Sequence, residues 1–308
     1  MKGLELSESY FREEGLPVLK RECSEFLDRM AIGLVGDGSE CYGYDDELSR
    51  DHDWGPGFCI WLTKEDHDAF GGKIKEIYAG LPRIYKGYGP RRVSPWGEDR
   101  VGVFETGAFY NQFIGRYQPP GNVDEWLILP ANALAAATNG KVFQDPLGEF
   151  TRIRASLLQF YPEDVRLKKI ASLCMSIGQA GQYNFPRCVK RGEVYAAQHS
   201  ETKFCADALS LVFLLNRRYA PFYKWIHRAV RELPCLGSTL YESISNLVKE
   251  HDPLVKVEQI EALSQTLISE LRRQGLTDHG SDFLPDHGPV VQQGIRDQRL
   301  RERNVWIG

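Results

Sequence analysis

Two aspartates separated by one residue, Asp51 and Asp53, follow a Gly-Ser pair, Gly38 and Ser39, within one short segment. Carboxylates at positions i and i+2 of a strand point to the same side, because the side-chain period of a strand is two. Their oxygens are the ligands that Mg²⁺ prefers, and a third carboxylate on an adjacent strand would complete a two-metal site. Such a site holds the attacking and leaving oxygens of an in-line phosphoryl displacement. The spacing therefore predicts phosphoryl-transfer chemistry.

The Gly-Ser pair predicts a tight turn that holds phosphate. Glycine permits close backbone approach, the N–H groups of such a turn can face an anion, and the Ser39 hydroxyl can contact a phosphate. A helix after the turn would point its positive N-terminal end toward the same anion. His52 would face away from the aspartates and is predicted to be structural. The acidic run of Asp45, Asp46 and Glu47 is predicted to lie in a solvated helix end or loop. The alternative is that these residues repel other anions or orient the ligands of the metal site.

Short strands and long helices must position these residues. Apolar runs predict strands over 31–36 and 57–62, and alternation predicts one at the start of 100–117. Asn139-Gly140 is a turn signal, and a short strand is predicted after it over 141–145. Thr63 is suited to cap a helix over 63–81. Later amphipathic patterns predict helices over 151–160, 163–183, 193–219, 221–233, 238–250 and 256–274. The expected fold is α+β: an α/β domain with a small mixed sheet over residues 1–150, then a helical bundle over residues 151–308.

Composition narrows the class of protein. A net charge of −4 over 308 residues does not indicate a bulk nucleic-acid binder. The seven cysteines contain no Cys-x-x-Cys pair, which favours reduced thiols and a cytoplasmic location. The charged N-terminal segment lacks the apolar stretch of a signal peptide, and no apolar run is long enough to span a bilayer. The P-loop pattern is absent, which argues against that type of kinase or ATPase.

The segment "LVGDGSECYGYDDELSRDHDW" (34–54) resembles the signature of the DNA polymerase β-like nucleotidyltransferase superfamily. Later segments resemble an uncharacterised bacterial nucleotidyltransferase-like family related to aminoglycoside and lincosamide nucleotidyltransferases. These segments are "VGVFETGAFYNQFIG", the stretch that starts with "NGKVFQDPLGEF", and the stretch that starts with "FLLNRRYAPFYKW". The resemblance covers the chain to about residue 235.

The resemblance implies roles for individual residues. Asp51 and Asp53 would bind Mg²⁺ and the nucleoside triphosphate, and Gly38 and Ser39 would hold its β- and γ-phosphates. A third acidic residue should follow on a later strand, and Glu105 is the first choice. Asp124 and Asp145 are the alternatives. The sequence departs from the family pattern at residues 54–57, where Pro56 predicts an edge or bulge instead of a continuous strand.

The helical half contains a polar segment, 179–209, that is predicted to be either an exposed helix–loop–helix or the wall of a cleft facing the first domain. Arg187 and Lys203 are its candidate phosphate ligands. Its candidate bases for an acceptor hydroxyl are Glu193, Glu201 and His199. The basic and aromatic segment 83–100 is predicted to stack bases, to close over a substrate or to form a surface loop.

The leading hypothesis is a Mg²⁺-dependent nucleotidyltransferase, with two ions held by Asp51, Asp53 and Glu105. It would transfer a nucleoside monophosphate, AMP from ATP by default, to a hydroxyl of a small molecule bound between the two domains. Two alternatives stay open: a non-catalytic nucleotide-binding regulatory protein on the same fold, and a transferase that acts on RNA or protein. No membrane partner is expected, and the oligomeric state is left open.

Overall fold

A computed structural model describes residues 1–92, 94 and 100–308. The chain folds into two compact units. The first comprises Met1–Pro120 and Ala133–Gln159, and the second comprises Gly121–Asn132 and Phe160–Gly308. The first unit carries the sheet and the second is helical, so the predicted α+β class is confirmed. The boundary predicted at residue 150 falls inside a helix of the first unit.

The first unit is built on a four-stranded mixed sheet with the order β3-β2-β1-β4. Its strands are β1 (Ala31–Leu34), β2 (Cys59–Leu62), β3 (Gly102–Glu105) and β4 (Lys141–Gln144). β1 pairs antiparallel with both β2 and β4, whereas β2 and β3 are parallel. The sequence predicted all four strands.

The helices of residues 1–159 are short except for the one that connects β2 to β3. They are α1 (Gly3–Tyr10), α2 (Leu16–Cys23), α3 (Lys64–Ala79), α4 (Thr106–Ile114), α5 (Val123–Leu127), α6 (Ala131–Thr138) and α7 (Glu149–Leu158). Of these, α5 belongs to the second unit. α3 begins where the sequence predicted, since the Thr63 hydroxyl accepts a hydrogen bond from Asp66 N at 3.1 Å. A parallel pair needs such a crossover.

Strand alternation divides the sheet into two buried faces. Ile60 and Leu62 belong to a core that also contains Phe11 and Phe58. On the other face, the Trp61 ring stacks on Phe150 with 3.8 Å between ring centroids. Because neighbouring residues of β2 face opposite ways, the strand is apolar throughout and buried on both sides.

The second unit is a set of helices. It contains α5 together with α8 (Glu163–Gly178), α9 (Phe185–Arg191), α10 (Val194–Leu215), α11 (Tyr223–Val230), α12 (Gly237–Lys249), α13 (Pro253–Arg273), α14 (His287–Gln293) and α15 (Gln298–Arg301). The buried ammonium group of Lys168 donates to Gln292 Oε1 at 2.6 Å and to Asn304 O at 2.8 Å. These bonds fix the C-terminal segment to α8. None of the helices in the described residues has the length and apolarity of a membrane span.

Candidate functional site

The turn after β1 is held in place by Asn139. The Asn139 side chain accepts from Gly36 N at 2.9 Å and donates to Gly36 O at 2.7 Å. Gly36 has a φ of +137°, a backbone conformation that favours glycine. Beside the turn lies a cavity of about 70 Å³, lined by Gly36–Gly38, Arg91, Arg100 and Gln112 among others. We refer to it as the turn cavity.

The helix predicted after the Gly-Ser pair is not formed. Ser39–Tyr42 is a single 3₁₀ turn, and it ends at Gly43, which has a φ of +70°. The left-handed conformation of that glycine stops the helical path after one turn. The prediction that a helix dipole faces a bound phosphate was therefore wrong, and any anion held here must be bound by side chains and turn amides.

A carboxylate lies directly over Gly38, so a side chain at this position would displace it. An added Cβ at Gly38 would lie 2.4 Å from a carboxylate oxygen of Glu40. Glu40 is buried, and its Oε1 lies 3.0 Å from Arg91 Nη2, with only 8% of the Arg91 side chain exposed. The turn thus already holds an anionic group, and the sequence had predicted a phosphate at this position.

Arg91 and Arg100 join the turn cavity to Asp53. Arg91 Nη1 donates to Asp53 O at 2.6 Å, and Arg100 Nη2 lies 3.5 Å from Asp53 Oδ2. Both arginines also line the turn cavity. Arg91 Nε is buried and has no hydrogen-bond partner among the residues that the structure describes. A buried donor without a partner is costly, so this nitrogen offers a bond to an incoming acceptor.

Asp53 is a buried carboxylate that lies in a turn. Its φ is +51°, and only 4% of the residue is exposed. Ser94 donates to its two oxygens, from N at 3.0 Å and from Oγ at 2.6 Å. Burial raises the pKa of the Asp53 carboxyl group, but these bonds and Arg100 outweigh it, so the net pKa is lowered. Asp53 is therefore ionised at neutral pH.

Asp51 does not share a strand face with Asp53. Its side chain is 66% exposed, and its Oδ1 lies 2.8 Å from His52 Nδ1. The strand begins only at Cys59, because Gly55 and Gly57 both have positive φ and leave the extended path. The prediction that a strand places the two aspartates side by side was wrong. His52 contacts Asp51, which is a local structural role.

Asp45 is not solvated, contrary to the prediction for the acidic run. Only 3% of Asp45 is exposed, and its Oδ2 accepts from Gly3 N at 2.8 Å and from Trp54 Nε1 at 3.1 Å. These bonds tie the start of α1 to the loop that contains Asp53. Asp46 and Glu47 are exposed, as predicted.

Glu105 ends β3 and caps α4. Its Oε1 accepts from Gly107 N at 2.7 Å, and its Oε2 accepts from Ala108 N at 2.6 Å. Two charge-assisted bonds to the first turn of a helix are a structural use of a carboxylate. The order of strand and helix around Glu105 was predicted correctly, whereas its role as a metal ligand stays a prediction.

Substitution of Glu105 tests its role as the N-cap of α4. We expect Glu105→Ala to lower the free energy of unfolding by about 0.5–2 kcal/mol, the usual cost of losing an N-cap. Glu105→Gln keeps an acceptor oxygen and should retain part of that stability. Urea unfolding followed by circular dichroism measures both variants. Unchanged stability in Glu105→Ala would contradict the capping role.

The alternative third carboxylates also have structural partners. Asp145 Oδ1 accepts from Gly148 N at 2.9 Å, and its Oδ2 accepts from Thr151 N at 2.7 Å, which positions the start of α7. Asp124 forms an ion pair with Arg303 within the second unit. Neither contact involves the turn cavity.

The candidate phosphate ligands of the second unit, Arg187 and Lys203, both contact side chains that lie four positions away in the sequence. The Arg187 guanidinium lies 4.0 Å from the centroid of the Tyr183 ring, and Lys203 Nζ lies 2.8 Å from Asp207 Oδ2. Among the candidate bases, Glu201 pairs with Lys256 at 2.7 Å, with little of either side chain exposed. Glu193 and His199 are exposed on the same stretch of chain.

Sequence reasoning missed Glu40, Arg91 and Arg100 as members of the site. The segment 83–100 was singled out for its basic and aromatic residues, and Arg91 and Arg100 belong to it. Residues 93 and 95–99, which belong to the predicted lid or base-stacking loop, lie outside the described part of the chain. The pairing of Glu40 with Arg91 carries no local signal, because 51 positions separate them.

The donor set fits Mg²⁺ only in part. Within the described residues, no group of three or more His, Cys, Asp or Glu side chains is placed to hold a metal ion. Mg²⁺ at nucleotide sites commonly takes one or two carboxylates and completes its shell with water and phosphate oxygens. Asp51 and Asp53 have the chemistry for that arrangement. A two-ion site that includes Glu105 stays a prediction.

Comparisons with known proteins give limited similarity. A family model described as "Domain of unknown function (DUF4037)" matches residues 126–226, which do not include the turn cavity. A solved structure of a nucleotidyltransferase-like protein from Exiguobacterium sibiricum 255-15 is similar at 14% identity and a TM-score of 0.39. The match covers 87% of this chain and 77% of that chain. No curated protein matches.

Proposed function

We propose that this protein is a nucleotidyltransferase whose nucleotide phosphates bind at the turn cavity. The observation that carries the proposal is that Arg91 and Arg100 line this cavity and also contact Asp53. Two guanidinium groups beside a Gly-Ser turn are suited to phosphate oxygens. The family resemblance assigns phosphate binding to the Gly38 turn and metal binding to Asp53. Arg91 and Arg100 connect these two parts of the chain.

Phosphate binding requires a change of partner at Arg91. Glu40 forms an ion pair with Arg91, and Arg91 Nε has no acceptor in the described residues. We infer that a phosphate oxygen takes the place of the Glu40 carboxylate and also accepts from Nε. Arg100 would stabilise negative charge on the same phosphates, at the cost of its longer contact with Asp53.

The proposed reaction forms one P–O bond and breaks another. The oxygen of an acceptor hydroxyl attacks the α-phosphorus, the bond to the β,γ-diphosphate breaks, and pyrophosphate leaves with the electron pair. The hydroxyl proton is released to solvent. Gly38, Ser39 and the two arginines hold the triphosphate, and their positive groups lower the free energy of the transition state as charge moves to pyrophosphate.

Mg²⁺ would be held by Asp51 and Asp53 together with the nucleotide. When bound, it would supply positive charge against the triphosphate and orient its oxygens. Ser94 would then have to release at least one oxygen of Asp53.

The acceptor we propose is a small molecule, with AMP from ATP as the transferred group.

Transfer of label from a nucleotide tests this proposal. The protein is incubated with Mg²⁺, a cell extract and ATP labelled at either the α- or the γ-phosphate. We expect the α-label to enter the small-molecule fraction and the γ-label to appear only in pyrophosphate. Arg91→Met should reduce transfer at least about tenfold, the loss expected from one charge-assisted contact. Arg83→Met, which removes an exposed arginine of the same segment, should leave transfer unchanged.

Other results of the labelling experiment would favour the alternative functions. Nucleotide binding without transfer would overturn the enzyme proposal and favour a regulatory nucleotide-binding protein. Label on RNA or protein would contradict the small-molecule acceptor while retaining the reaction. Transfer of the γ-label to the acceptor would indicate a kinase instead.

A further inference from the structure

The second unit contains a cavity of about 190 Å³ that the proposed function does not use. We refer to it as the helical cavity. Apolar side chains form much of its wall, among them Leu173, Phe213 and Leu214. Its polar groups come from Lys169, Arg218 and two serines, Ser172 and Ser210.

Lys169 is a cation with incomplete partners. Its Nζ donates to Leu127 O at 2.8 Å and lies 5.1 Å from the centroid of the Tyr161 ring. An ammonium group has three N–H donors, and no carboxylate pairs with this one among the described residues. Burial alone lowers the pKa of Lys169 to about 8. The environment therefore removes water from the charge, and no Asp or Glu side chain of the described residues supplies a counterion.

Arg218 adds a second cation to the same wall. It is exposed and lies near the end of α10, and it forms no ion pair in the part of the chain that the structure describes. No acidic side chain from the described ranges lines the helical cavity. Two cations beside an apolar wall, without an acidic side chain, form a site that is complementary to an amphipathic anion.

The serines restrict how such a ligand would be held. Ser172 Oγ donates to Trp306 O at 2.8 Å, and Ser210 Oγ donates to Ala206 O at 2.9 Å. With their protons committed to these carbonyls, the hydroxyl groups can serve a ligand only as acceptors. The donors available to an anion are therefore the ammonium and guanidinium groups.

We propose that the helical cavity binds a small organic anion whose compact apolar body packs on Phe213 and Leu214 while Lys169 and Arg218 hold its charged end. The anion supplies the counterion that Lys169 lacks. The apolar body of the ligand matches the greater part of the cavity wall, which is apolar. The helical cavity shares no lining residue with the turn cavity.

Benzoate is a suitable probe, with benzamide as the neutral molecule of the same shape. Binding to the full-length protein is measured by calorimetry and by chemical-shift changes. We expect saturable binding of benzoate and at least tenfold weaker binding of benzamide. Lys169→Met and Arg218→Met should each weaken benzoate binding about tenfold. Lys249→Met, which removes an exposed lysine of α12, should have no effect.

Because Lys169 also bonds to Leu127 O, its removal could disturb folding. Arg218→Met changes an exposed side chain and keeps the test independent of stability. Absence of saturable benzoate binding would overturn the proposal. Equal affinity for benzamide, or full affinity in Arg218→Met, would also overturn it, because the two cations would then not hold the charged end.

Discussion

Asp53→Asn is expected to reduce nucleotidyl transfer by about 10²–10³-fold, the range for losing one preorganised electrostatic contact to a transition state. The change removes the negative charge of a buried carboxylate that Arg100 and Ser94 surround. It keeps the size of the side chain and one acceptor oxygen. Initial rates of α-label transfer at saturating ATP measure the effect.

Two matched variants separate catalysis from folding. Ser94→Ala removes the Oγ hydrogen bond to Asp53 but keeps the backbone bond and the charge of Asp53, so it should lower stability and retain transfer. Asp28→Asn, at an exposed position of the same unit, should change neither. The role proposed for Asp53 would be contradicted if Asp53→Asn retained more than a tenth of wild-type transfer in a folded protein.

Gly140→Ala is expected to lower the free energy of unfolding by about 3 kcal/mol or more. Gly140 has a φ of +62°, and an added Cβ would lie 1.9 Å from the carbonyl oxygen of Leu34 in β1. The left-handed conformation costs about 1–2 kcal/mol for a residue with a Cβ, and overpacking commonly adds about 1–3 kcal/mol. Gly140 N also bonds to Cys41 O at 2.9 Å. The turn cavity should therefore be distorted as well.

Gly115→Ala provides the control for this substitution. Gly115 has nearly the same φ, +65°, but nothing lies within 4 Å of an added Cβ. It should cost only the conformational part, about 1–2 kcal/mol. Urea unfolding of both variants gives the difference, and equal losses would show that the close approach of Leu34 is not what requires glycine at position 140.

The sheet was predictable because its signals are local. β1 is an apolar run that ends shortly before Gly36, and β2 is one that begins shortly after Gly57. The hydroxyl that caps α3 belongs to Thr63, which directly precedes the helix. The Asn139-Gly140 turn signal also marks the start of β4. These features depend on a few neighbouring residues, so sequence patterns identify them.

The candidate site was not predictable in the same way, because its geometry depends on distant contacts. Burial of Asp45 needs the donors Gly3 N and Trp54 Nε1, which are supplied from outside the acidic run. The position of Asp53 depends on Ser94 and Arg91, which lie on a later segment of the chain. No periodicity in residues 36–55 encodes these partners.

A crystal structure with a non-hydrolysable ATP analogue and Mn²⁺, which replaces Mg²⁺ and gives an anomalous signal, tests the central claim most directly. We predict phosphate density against Gly38 and Ser39, with Arg91 bonded to a phosphate oxygen in place of Glu40. The anomalous peak should lie within coordination distance of Asp51 and Asp53. Nucleotide bound elsewhere, or a metal peak away from both aspartates, would contradict the account.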